Sequence, residues 1–215
     1  MQPVRKIGYS NRSITGKRSS AKTDTVHQFE SALERDFLTL LEYDDTISNY
    51  VVQPVTIRYE HENKSARYTP DVIVYYKPRL KLKPVLYEVK YAAELIEKRG
   101  YYEPKFNAAR KYAYGNGFEF KVITEKEIRT VYLQNIKFLS SYCRTPIDQR
   151  LKENIKSQLQ HREMTPQDFM QSNDQGENAK LLHTLWQLLA QKIISCDMQN
   201  KLTMTTPLWN QQISG

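Results

Sequence analysis

Residues 68–91 read YTPDVIVYYKPRLKLKPVLYEVKY, and this stretch decides the fold. Two apolar runs, DVIVYY and VLYEVKY, flank the basic turn KPRLKLKP, a pattern that predicts two strands of a hairpin. Side chains alternate faces along a strand, so Val85, Tyr87, Val89 and Tyr91 share one side, and Leu86, Glu88 and Lys90 share the other. An acid and a lysine two residues apart on one face of an otherwise apolar strand are not explained by simple amphipathicity. Pairing around the turn is expected to set Asp71 across from Lys90 and next to Glu88. Two acids and a lysine then meet at one end of a sheet.

Upstream, NYVVQPVTIRYE (49–60) and SARYTPDVIVYY (65–76) each read as a strand, with HENK between them as a turn. Before them, apolar residues at Phe29, Leu33, Phe37, Leu40 and Leu41 predict a helix from about Val26 to Tyr43. On a wheel advancing about 100° per residue, Glu30 and Glu34 both fall inside that apolar arc. A carboxylate on a packing face is costly unless it meets a cation or a metal. A plain salt bridge to Arg67 or Lys90 and a metal site both satisfy that demand.

Downstream, a helix from roughly Glu103 to Tyr114 stops at Gly115-Asn116-Gly117, and FEFKVIT (118–124) reads as a short buried strand. TEKEIRTVYLQNIKFL (124–139) follows as an amphipathic helix, with Thr124 as its N-cap and Glu127 three residues on. The order is that of an α/β mixed sheet flanked by helices. Beyond residue 140 come a helix around Ile147–Gln160, a helical turn in MTPQDFM and the polar linker SNDQGEN. A strongly amphipathic helix, Lys180–Ile194, and a terminal strand in KLTMTTPLW, with Leu202 and Met204 alternating, complete a small, mainly helical, winged-helix-like unit.

The composition, 40% hydrophobic and 26% charged over 215 residues, is that of a folded chain rather than a disordered one. The 32 Lys and Arg exceed the 24 Asp and Glu, and the excess lies before residue 148, since seven of each sign follow from there. Arg5, Lys6, Arg12, Lys17, Arg18 and Lys22 stand without an acid among them, an arm suited to collecting phosphates. Lys105, Arg110 and Lys111 on the later helix are further phosphate candidates. No apolar run approaches the roughly 20 residues of a membrane helix, and no secretory leader is seen. The two cysteines and four histidines lack zinc spacing, and a cytoplasmic protein with reduced thiols is expected.

Carboxylates grouped with a lysine suit metal-assisted phosphodiester chemistry. Such oxygens hold Mg²⁺ while leaving room for water and phosphate. The metal activates bound water and takes up charge on the phosphate, and a neighbouring lysine orients or deprotonates the nucleophile. Asp71 and Glu88 are the expected direct ligands, with the carbonyl of Val89 beside them. Glu34 would bind directly, through water, or at a second ion, and Lys90 completes the catalytic set of Glu34, Asp71, Glu88 and Lys90.

Asp followed by Glu-x-Lys after a glutamate-bearing helix resembles the motif of PD-(D/E)xK nucleases, here Pro70-Asp71 and Glu88-Val89-Lys90. Within that superfamily the chain is similar to TnsA, the endonuclease subunit of heteromeric transposases. The likeness runs through FESALERDFLTLLEYD, VVQPVTIRY, YTPDVIVYY, YEVKYAAEL and ITEKEIRTVYLQNIKFL, about Phe29 to Leu139. It implies a restriction-endonuclease-like fold, Mg²⁺ (with Mn²⁺ able to substitute) as one or two ions, and cleavage of double-stranded DNA at transposon 5′ ends. It also implies a TnsB-like transposase and a TnsC-like AAA+ ATPase as partners, the latter at the C-terminal region. A free-standing restriction or repair nuclease and a non-catalytic DNA-binding scaffold are the alternatives. The expected organisation is a basic arm (1–26), a catalytic domain (27–142) and a partner-binding domain (143–215).

Overall fold

The computed structural model describes residues 16–19, 22–23, 26–143, 146–171 and 175–211. They form two compact units, one ending at Arg129 and the other beginning at Thr130. That division falls before helix Val131–Ser140 and so earlier than the boundary expected at 142.

The first unit opens with strands β1 (Gly16–Ser19) and β2 (Val26–Phe29), paired antiparallel. The helix expected from Val26 therefore starts later, as α1 (Ala32–Tyr43). Its start has a local cause. Ser31 accepts from the Glu34 amide at 3.1 Å, and the Glu34 carboxylate turns back to the Glu30 amide at 2.8 Å. The Ser31 hydroxyl thus satisfies one of the amide donors that would otherwise be orphaned at the first turn, while Glu34 ties down the residue just before the cap. Four such amides are unpaired in an uncapped helix, which is why a serine here marks a beginning.

Strands β3 (Ile47–Val52), β4 (Ile57–His61), β5 (Lys64–Tyr68), β6 (Val72–Tyr76) and β7 (Val85–Val89) follow. The two long strands expected upstream are each broken near a proline, at Gln53-Pro54 and Thr69-Pro70-Asp71, because proline cannot donate to a ladder. The pieces join different sheets. Strands β4 and β5 make a separate hairpin, turned by Glu62 and Asn63 at φ 50° and 57°. Strands β3, β6 and β7 enter the main sheet, followed by β8 (Glu119–Ile123), in the order β3-β6-β7-β8. The first pairs are antiparallel and β7–β8 is parallel, so the expected mixed sheet is present. Strand β8 lies at the edge and is only partly buried, not fully as its apolar residues suggest.

The parallel connection runs through α2 (Ala92–Glu97), a helix outside the expected elements, and α3 (Arg99–Gly115). Helix α3 ends as expected: Gly117 adopts φ 73°, a left-handed conformation that costs glycine nothing, and the Phe118 amide reaches back to Ala113 at 2.8 Å. The sheet is covered on both faces. On one, Phe37 of α1 meets Tyr87 edge-on at 5.1 Å. On the other, Tyr102, Phe106 and Ala109 of α3 pack over Val51, Ile73 and Leu86. The Thr124 capping box forms as predicted, but the helix after it is two, α4 (Glu125–Ile128) and α5 (Val131–Ser140).

The second unit holds α5, α6 (Gln149–Leu159), α7 (Pro166–Gln171) and α8 (Asn178–Ala190). Strands β9 (Ile194–Cys196) and β10 (Leu208–Asn210) form an antiparallel ribbon. The expected terminal strand is thus shortened, and Leu202 and Met204 precede it in a loop. Leu151, Ile155, Phe169, Leu185 and Leu188 form a common core with Leu139 of α5, which is the physical reason that α5 belongs here. Asn135, 3% exposed, ties the loop in by donating to the carbonyls of Met198 and Asn200 and accepting from the Leu202 amide. Among the described residues no helix is long and apolar enough to cross a membrane.

Candidate active site

The site gathers where β6 begins and β7 ends. The register pairs Val72 with Tyr87, which carries Asp71 toward Glu88 rather than toward Lys90 as expected from the turn. The two-residue difference leaves every side chain on its predicted face, because the strand period is two. The Asp71 carboxylate accepts from the Val89 amide at 2.7 Å and lies 3.4 Å from the Lys90 ammonium. That ammonium also stands 2.9 Å from Glu88 Oε1 and 3.1 Å from the Val89 carbonyl oxygen. One cation is thus surrounded by the three oxygens that the sequence singled out: Asp71, Glu88 and Val89.

The electrostatics follow from burial. Glu88 is 3% exposed, and its pKa is pushed up to about 7 by burial and by the charge of Asp71, against the pull of Lys90. Glu34 also rises to about 7, first through burial and then through Asp71. Asp71 is raised too, chiefly by burial, with the Lys90 charge and the Val89 amide opposing. Burial works against the Lys90 ammonium, but Asp71 and Glu88 outweigh it and hold its pKa well above the ordinary value. The cluster is therefore short of positive charge, with one lysine facing three carboxylates.

Glu34 is positioned by its own helix start. Its oxygens accept from the Glu30 amide at 2.8 Å and the Ser31 hydroxyl at 3.0 Å, so the helix start and the acidic cluster share one side chain. Among the described residues no group of three or more His, Cys, Asp or Glu side chains is gathered closely enough to hold a metal as it stands. The geometry supplies a reason, since Lys90 sits among the oxygens and Glu34 is turned to its cap.

Three further residues belong to this neighbourhood, and of these Gln53 was not among the expected site residues. Tyr68 donates to Glu88 Oε2 at 2.6 Å, and its pKa is raised by burial and by Glu88, so it keeps its proton. Glu30, which shares the apolar arc with Glu34, accepts from Gln53 Nε2 at 3.2 Å and adds to the negative charge at Asp71. Gln53 is 6% exposed and has φ 49°, unusual for a residue with a side chain. Its amide donates to the Asp71 carbonyl at 2.7 Å, while its own Oε1 is buried without a partner. Left-handed backbone costs roughly 1–2 kcal/mol and an unpaired buried acceptor about 1–3 kcal/mol. A hint of Gln53 was legible as a glutamine inside an apolar strand just before Pro54.

The phosphate candidates differ. Arg5, Lys6 and Arg12 lie outside the described residues. Lys17 and Arg18 fall in β1, and Lys22 donates to the carbonyls of Leu41, at 2.7 Å, and Asp44 at the end of α1. The Lys22 ammonium is thus engaged at a helix C-terminus, where the dipole favours a cation. On α3, the Lys105 ammonium lies 3.4 Å from the centre of the Tyr101 ring and Arg110 donates to Asn107 at 2.7 Å. Lys111 lines an open groove of about 730 Å³ between β4 and α3, together with Arg58, Tyr59 and Tyr112. Arg58 faces Arg67 across the hairpin, and neither has an acidic partner among the described residues.

The sequence matches two family descriptions in order: "TnsA-like endonuclease N terminal" over residues 44–125 and "TnsA endonuclease C terminal" over residues 127–198. No curated protein matches the chain. The first match contains the Asp71, Glu88 and Lys90 cluster and the second contains most of the helical unit. With both parts of the family present in sequence order across residues 44–198, the chain belongs to the TnsA family of endonucleases.

Proposed function

We propose that this chain is the DNA-cutting subunit of a heteromeric transposase, hydrolysing a phosphodiester at the transposon 5′ ends with Mg²⁺, or Mn²⁺ in its place. The observation that carries this reading is the convergence of Asp71, Glu88 and the Val89 carbonyl on one cation, the Lys90 ammonium. Oxygen ligands of this kind suit a hard divalent ion, and the raised Glu34 and Glu88 pKa values mark a site that gains from more positive charge. Asp71, Glu88 and Val89 would hold the ion, with Glu34 beside them. A bound divalent ion would supply an acidified water and neutralise charge on the scissile phosphate.

The chain's own groups do the rest. The Val89 amide fixes one Asp71 oxygen and the Tyr68 hydroxyl fixes one Glu88 oxygen, so both carboxylates are held before substrate arrives. Lys90, kept as an ammonium, is a charged donor for a phosphate oxygen or the attacking water. Arg58, Arg67 and Lys111 offer the duplex backbone positive charge beside the groove. The chain from residue 148 onward is balanced in charge and suits contact with a TnsC-like AAA+ regulator, while a TnsB-like transposase processes the other strand.

The test is cleavage of transposon-end DNA by the chain together with such partners. Mg²⁺ and Mn²⁺ should support cutting and chelator should abolish it. Asp71→Ala and Lys90→Ala should each lose at least about a hundredfold in rate. Parent-like cutting by both variants, with and without chelator, would dismiss the active-site assignment. Robust cutting of arbitrary DNA by the chain alone would favour a free-standing nuclease instead.

A further inference from the structure

We propose that Gln53 is a positioning residue of this site, holding Asp71 through its main chain and Glu30 through its side-chain amide. The inference rests on the metal-dependent nuclease reading above. Gln53 stands where β3 ends, immediately beside the start of β6, and its backbone amide donates to the Asp71 carbonyl at 2.7 Å. Its Nε2 donates to Glu30 Oε1 at 3.2 Å. Glu30 in turn gives its backbone amide to Glu34. One residue therefore ties the strand that carries Asp71 to the segment that carries Glu30 and Glu34.

Two features show that this residue is not simply filling space. Its backbone takes a left-handed φ of 49° that glycine or asparagine would adopt at lower cost. Its Oε1 is buried with no partner, where an apolar side chain of similar size would leave no acceptor unsatisfied. The amide orientation is itself informative. Turning it over would bring Oε1 against the Glu30 carboxylate, so the observed arrangement presents the donor to Glu30 and leaves the acceptor buried and unpaired. Backbone strain and an unsatisfied buried group at one position, next to an acidic cluster, are what a residue retained for geometry rather than stability displays.

The test uses the full-length chain and three variants: Gln53→Met, which keeps the length without the polar atoms; Gln53→Asn, which suits the backbone but shortens the reach; and Asp71→Asn. Mn²⁺ binding is followed by calorimetry, and thermal unfolding is recorded with chelator present. Loss of an outer residue that orients metal ligands weakens metal binding about 10–100-fold. Gln53→Met and Gln53→Asn should therefore bind Mn²⁺ at least about tenfold more weakly while unfolding no earlier than the parent. Asp71→Asn should abolish binding. Parent-like Mn²⁺ affinity in both Gln53 variants, with Asp71→Asn inactive in binding, overturns the role of Gln53 alone. Weakened binding accompanied by earlier unfolding in both variants also overturns it, in favour of a structural role. A parent chain that binds no Mn²⁺ overturns the metal reading and this inference with it.

Discussion

Raising the pH of the metal-free chain should destabilise it, because its acidic cluster is protonated more readily folded than unfolded. Glu34 and Glu88 both move from 4.5 to about 7 in the folded state. Between those values the native state keeps protons that the unfolded chain has released, so stability falls as pH rises through the window. A shift of this size corresponds to about 3 kcal/mol for one group. The two shifts do not add, since both draw on repulsion from Asp71, and about 3 kcal/mol is the expected total for the pair. For a chain of this size that is a drop in Tm of roughly 6–12 °C between pH 5 and pH 8. Calorimetric scans in chelator at half-unit pH intervals would measure it. Glu88→Gln isolates the effect from the general charge of the molecule, because it removes one titrating group and should flatten the slope. A parent chain equally or more stable at pH 8, or a Glu88→Gln variant with the parent's slope, would refute the reasoning.

Other perturbations read different parts of the structure. Tyr68→Phe removes the donor to Glu88 Oε2 and should cost about 1–3 kcal/mol in urea unfolding at pH 8, where the carboxylate is ionised. Phe106→Ala empties the centre of the α3 face, stacked on Tyr102 at 5.4 Å, and should cost about 3–5 kcal/mol in the same assay. Asn135→Ala removes three hydrogen bonds to the loop before β10, and hydrogen exchange should show the Leu202 amide losing protection while amides of the β6–β7 ladder keep theirs.

The strand that carries Glu88 and Lys90 was legible because its signal is local. Period-two alternation placed Glu88 and Lys90 on one face, and the neighbouring turn brought a second strand bearing Asp71. Breaks in the chain were harder. Pro54 and Pro70 interrupt strands whose composition is continuous, and the separate β4–β5 hairpin exists because each broken half finds a different partner. The helix 124–139 reads as one amphipathic run, yet Leu139 is buried in the second core. Periodicity along a segment cannot say which of two cores will bury it.

Glu34 shows the limit most clearly. Its place in the apolar arc announces an unusual carboxylate, and the same side chain closes the start of α1. Only the packed structure shows that both descriptions hold for one side chain beside Asp71. By itself the sequence determined the alternating faces, the cap residues and the Asp, Glu and Lys set, all consequences of contacts within a few residues. The tertiary structure decided the rest: the register that sets Asp71 toward Glu88, the hydroxyl of Tyr68 on Glu88, and the strained Gln53 bridging two segments. These depend on which distant strands and helices meet, and that is fixed by burial of the whole sheet rather than by any one segment.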